Sequence, residues 1–142
     1  MVGSRGKRKR TMLLQLTSLL FGTNAVHALT RRHLFYAILL LCLCAASTAW
    51  QTCDKNMELE TPRLLFWIDQ FAIWSVATMS MYYAAHVRAE YRLLLIVLSV
   101  CLIGLGIFVS VRWWNKHESP ECHSAIHILS ALSVHCVLLG LS

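Results

Sequence analysis

Five stretches of predominantly apolar residues alternate with short polar links along the 142 residues of this chain. The first runs from Met12 to Leu29, is interrupted by Gly22, Thr23, Asn24 and His27, and is close to the minimum of about 17–20 residues for a membrane span. His33 to Gln51 forms the second, rich in Leu, Ile and Ala, and ends at Trp50 and the polar run Gln51 to Lys55. Leu64 to His86 is the third, and Thr61-Pro62 suits its start because proline lacks an N–H that the first turn leaves unpaired anyway. In the fourth, Leu93 to Trp114, Gly104 and Gly106 are expected to permit close helix contact, with Trp113 and Trp114 in an interfacial aromatic belt. Ser119-Pro120 opens the fifth, Glu121 to Leu141. The pattern predicts an all-α, polytopic membrane helical bundle: a basic flank over 1–11, then one transmembrane domain over 12–142. No internal repeat or soluble domain is visible.

Composition sharpens that reading. Hydrophobic residues make up 57% of the chain and charged residues 14%, where a soluble domain carries about a quarter charged. The net charge of +6 comes largely from Arg5, Lys7, Arg8, Lys9 and Arg10. That cluster precedes an apolar segment and has no interleaved aromatics, so its partner is membrane lipid with acidic headgroups, not nucleic acid. The same basic start, with the apolar run Met12 to Phe21 and the exit Val26-His27-Ala28, also fits a cleaved signal sequence. Of six cysteines, Cys42, Cys44, Cys101 and Cys136 sit inside apolar segments as small hydrophobes. Cys53 and Cys122 lie near links and could pair in an oxidising compartment, though no C-x-x-C or zinc-finger spacing exists.

The candidate chemistry centres on Glu121-Cys122-His123-Ser124-Ala125-Ile126-His127. Imidazoles at i and i+4 share a helical face and can offer two nitrogens to one metal ion. Because spans alternate in direction, the end of the second, the start of the third and the start of the fifth share one membrane face. Ser47, Gln51, Asp69, His123 and His127 are therefore expected to converge, lowering one another's cost in hydrocarbon. Structural alternatives are equally concrete. The histidines can bond headgroups or loop carbonyls, Asp69 can pair with Arg63 or Arg112, and Ser47 can bond its own i−4 carbonyl. His27, His33, His86, His117 and His135 lack such alignment and read as interfacial or packing residues. Trp67, Trp74, Met79 and Met81 read as lipid-facing or core bulk.

Three ordered motifs carry a family likeness. Ser47-Thr48-Ala49-Trp50-Gln51-Thr52-Cys53-Asp54 is similar to Ser-x-x-aromatic-His-x-Cys-Asp, Ile68-Asp69-Gln70 through Trp74 to the segment that follows it, and His123-Ser124-Ala125-Ile126-His127 to a closing His-Ser-x-x-His. Together they resemble the transmembrane protein 8 and myomaker family, in the CREST group with alkaline ceramidases and progestin/adiponectin receptors. The run Leu16 to Phe21 followed by Arg31-Arg32-His33 is similar to that family's first span and loop, which favours retaining the first segment as a span. The likeness implies seven spans and a zinc site of three histidines with a nearby serine and aspartate, acting on an amide or ester of a lipid. By resemblance, His123 and His127 are metal ligands, Asp69 and Ser47 are catalytic, and Gln51 replaces the third histidine.

Two departures follow. Glutamine lacks a basic nitrogen, so zinc is not expected at full family affinity, although His123, His127 and Asp69 are a ligand set of known type. The fourth and fifth family spans have no counterpart, which preserves the parity of later spans and removes helices that would wall a cavity. The expected function is thus a multi-pass protein with a degenerate zinc-hydrolase-like site and a non-catalytic membrane or lipid-organising role. The alternatives are a zinc-dependent lipid hydrolase and a truncated product without independent function. The expected setting is the plasma membrane or an endomembrane, with the amino terminus outside and Arg31, Arg32, Arg88 and Arg92 facing the cytoplasm; the amino-terminal basic cluster opposes that orientation.

Overall fold

A computed structural model of the protein describes residues 12–52, 61–114 and 120–141. The basic cluster, Cys53, the acidic link, His117 and the side chains of Trp113 and Trp114 lie outside that description. Five helices, with no strand among the described residues, form an all-α bundle: α1 (Met12–Thr30), α2 (Leu34–Thr52), α3 (Thr61–Ala84), α4 (Ala89–Trp114) and α5 (Pro120–Gly140). All five are long and apolar enough to cross a membrane. Each expected span is present with its ends displaced by a few residues, and α4 begins four residues early, leaving a tight link after α3.

Sequence periodicity explains which faces turn inward. On α2 the buried residues Tyr36, Leu40, Leu43 and Ser47 recur every three or four positions, which places them on one stripe. On α1, Phe21, Asn24, Ala25 and Ala28 do the same, and the alanines let the backbones come close. Large apolar residues such as Leu93, Ile96 and Ile107 face outward, as expected where the solvent is hydrocarbon.

Helix α1 occupies the middle of the bundle. It packs between α2 and α5, α2 packs on α3, and α5 packs on α4 and, more narrowly, on α3. Its pairing with α5 is parallel and in constant register. Thr17 meets His127, Thr23 and His27 meet His135, and Arg31 reaches Leu141, with sequence separations of 110, 112, 108 and 110 residues. Tyr36 and Ser80 join α2 to α3 through a 2.5 Å bond between hydroxyls.

Helix α4 stands apart, with no buried residue over its membrane-spanning length. Gly104 and Gly106 permit no close contact here, because a Cβ built on either would meet nothing within 4 Å. The close approach is instead at Gly140, whose missing side chain leaves room for Val87 and Tyr91. Gly140 O also accepts a bond from the Arg88 backbone at 3.1 Å, which ties the α3–α4 link to the end of α5. Among the described residues several buried polar side chains have an unpaired atom, and Asn24 has two. Asn24 is fully buried, and neither of its amide atoms has a hydrogen-bond partner among the described residues.

Two stability predictions follow from these positions. Gly140→Ala drives a Cβ into Val87 and Tyr91 and should cost about 1–3 kcal/mol of overpacking, seen as a lower melting temperature in detergent. Asn24→Leu removes unpaired buried polar atoms and should raise stability by about 1–3 kcal/mol in an unfolding titration; a loss of stability would mean the amide has a partner.

Candidate functional site

The shared face of α1, α2, α3 and α5 gathers most of the polar residues singled out in the sequence. Ser47, Gln51, Asp69 and His127 are all buried there, and His123 is half-buried one turn before His127. The rings of His123 and His127 meet at right angles with centroids 4.9 Å apart, and Phe21 packs edgewise on His127 at 5.7 Å. Among the described residues Asp69 forms no ion pair with Arg63 or Arg112; its carboxyl lies toward the Ser47 hydroxyl, and its Oδ1 has no hydrogen-bond partner. Ser47 does not bond its own helix. It stands between Asp69 and Ser18, whose hydroxyl lies 3.2 Å away.

Thr17 and Ser18 of α1 complete the network. Periodicity offered no signal for them beyond two hydroxyl residues inside an apolar run, and only the packing of α1 on α5 gives them a role. Thr17 Oγ1 lies 3.2 Å and Ser18 Oγ 3.4 Å from His127 Nδ1. Each hydroxyl has one proton. Thr17 donates its proton to the carbonyls of Leu13 and Leu14 at 3.1 and 3.0 Å, and Ser18 to that of Leu14 at 2.9 Å. Either hydroxyl can instead turn its proton to His127 Nδ1 or accept from it, as the imidazole tautomer decides, and both tautomers join α1 to α5.

Two imidazoles come together, but among the described residues no group of three or more His, Cys, Asp or Glu is placed to hold a metal ion. Asp69 turns to Ser47, and the buried Gln51 brings no basic nitrogen.

A second imidazole pair, unforeseen from the sequence, lies two turns along the same seam. His27 Nδ1 and His135 Nδ1 are 2.9 Å apart, and Thr23 Oγ1 lies 3.2 Å from His135 Nε2. Parallel register explains it, since both pairs bridge α1 and α5. The other sequence expectations divide: Trp67, Trp74 and Met81 face outward, while Met79 packs against the buried core.

A cavity of about 320 Å³ opens from this site. Ser47, His123 and His127 line one end, and Met81, Ala84 and Val137 the other. From His123 to Val137 the wall spans fifteen residues of α5, about 21 Å of helix in a hydrocarbon core about 30 Å thick. Ile73 and Ala77 of α3 face Leu95 and Leu102 of α4 across it, and these two helices form no packed pair. With this geometry in view, comparison with known proteins returns no matching family model, curated relative or solved structure.

The hydroxyl clamp on His127 is testable by a double-mutant cycle. Thr17→Val and His127→Phe, singly and together, should show a coupling of about 0.6 kcal/mol, with an upper range near 1.7, in a detergent unfolding titration. Additive losses would mean the contact carries no energy.

Proposed function

We propose that this chain is a multi-pass membrane protein related to the transmembrane protein 8 and myomaker group, in which a zinc-hydrolase-like constellation serves as a non-catalytic clamp beside a lipid-accommodating cavity. The observation that carries this reading is the clamp at His127: Thr17 and Ser18 of α1 lie 3.2 and 3.4 Å from its Nδ1 and hold α1 on α5. Gln51 in place of a family histidine supports the same conclusion. So does the gap between α3 and α4, where the resemblance would place the two spans that have no counterpart here. A cavity lined mainly by apolar side chains and flanked by α3 and α4, which do not pack on each other, suits the acyl chain of a membrane lipid, with its polar end toward Ser47 and His123.

One observation favours the hydrolase alternative. The cavity ends at two imidazoles and a serine, where a lipid ester or amide would lie if a metal were held. Metal analysis of the purified protein beside a Gln51→His variant separates the two. The clamp reading expects well below one equivalent of zinc in the wild type and a gain toward one equivalent in the variant. Stoichiometric zinc in the wild type, with lipid turnover that His123→Ala abolishes, would overturn it.

A further inference from the structure

The membrane face opposite the polar site carries four arginines against one acidic residue, Glu90, within the two turns 31–33 and 85–92. These turns converge on the last turn of α5. Arg31 donates to the Leu141 carbonyl at 3.4 Å, and Arg88 donates to that of Leu139 at 3.3 Å while its guanidinium lies 5.4 Å from the Tyr91 ring centroid. Arg92 donates through Nε to the Val87 carbonyl at 3.1 Å. His33 packs on Tyr83 at 4.9 Å, which joins the start of α2 to the end of α3. Each of these guanidiniums has further N–H donors beyond the bond described.

Arg32 is the informative member. It is exposed and has a φ of 63°, the sole non-glycine with positive φ among the described residues. The backbone around it closes α1 with two bonds, from His33 to the Ala28 carbonyl and from Arg32 to that of Leu29, each 2.9 Å. In this termination motif the left-handed position is usually glycine, because a Cβ is disfavoured there. Fold stability alone would therefore prefer glycine. Arginine at this place is explained by its charge, directed where phospholipid headgroups lie.

We propose that the Arg31-Arg32 and Arg88-Arg92 turns form a headgroup site for a polyanionic membrane phospholipid, in which Arg32 supplies charge at the expense of backbone strain. Planar guanidiniums from two turns suit phosphate oxygens, which accept paired N–H donors. The position at the end of all five helices selects a lipid-borne phosphate over a soluble one. This surface is independent of the polar site and of its function.

The test is native mass spectrometry of the full chain in detergent, titrated with phosphatidylinositol 4,5-bisphosphate, phosphatidylserine and phosphatidylcholine of matched chains. Water-soluble inositol trisphosphate is added as a separate arm. The bisphosphate lipid should bind at least tenfold more tightly than phosphatidylcholine. Arg32→Gly should weaken it about fivefold, and Arg32→Gly with Arg92→Gln about 25-fold, at roughly one factor of five per arginine. Because glycine suits the left-handed turn, Arg32→Gly should hold or raise the melting temperature while binding falls. Arg112→Gln, on the opposite face, should leave binding unchanged. Equal binding of all three lipids, an equal loss in Arg112→Gln, or inositol trisphosphate binding as tightly as the lipid would overturn the proposal. A fall in melting temperature with Arg32→Gly would also overturn it, by assigning the arginine to the fold.

Discussion

Inside a bilayer a buried hydroxyl or imidazole has no water to turn to, so Thr17, Ser18 and His127 must satisfy one another across the α1–α5 interface. That contact sets the register of the whole seam. Once Thr17 lies beside His127, the 1.5 Å rise of two parallel helices carries Thr23 and His27 to His135 and Arg31 to Leu141. The same seam puts Ser18 within reach of Ser47, and through it the Asp69 carboxyl of α3. Helix α1 is thus the organiser of the bundle, although it is the least apolar of the five spans.

Small residues make this arrangement physically accessible. Ala25, Ala28 and Ala37 let α1 and α2 approach closely, and Gly140 lets the α3–α4 link lie on the end of α5. Elsewhere the helices have nothing to draw them together, because lipid tails are as apolar as the leucines of α4. Helix α4 therefore rests on α5 without being buried, and the space between α3 and α4 stays open as a cavity beside the polar network. Two glycines within α4 do not change this, since a small residue permits contact without supplying the attraction for it.

Much of the site was legible before the structure. The parity of spans alone brings Ser47, Gln51, Asp69, His123 and His127 to one face, and they are found there. What parity cannot supply is azimuth. It does not say that Asp69 turns to Ser47 instead of an arginine or the imidazoles, or that His135 meets His27. Thr17 and Ser18 were hidden for the same reason, since hydroxyls in an apolar run bond their own helix as readily as a neighbour. Here they do both, lying within hydrogen-bond distance of backbone carbonyls and of His127 Nδ1.

Hydropathy, acting over twenty residues at a time, is a property of the linear chain, and from it the sequence by itself determined five helices long and apolar enough to cross a membrane, their alternating direction and the end of the bundle that holds each polar group. Rotation of each helix about its axis, the parallel register of α1 on α5 and the partners in the polar network were decided only by tertiary packing. The reason is that neighbouring helices and their hydrogen-bond partners are more than a hundred residues apart in sequence, and no local pattern encodes which side chain will be opposite.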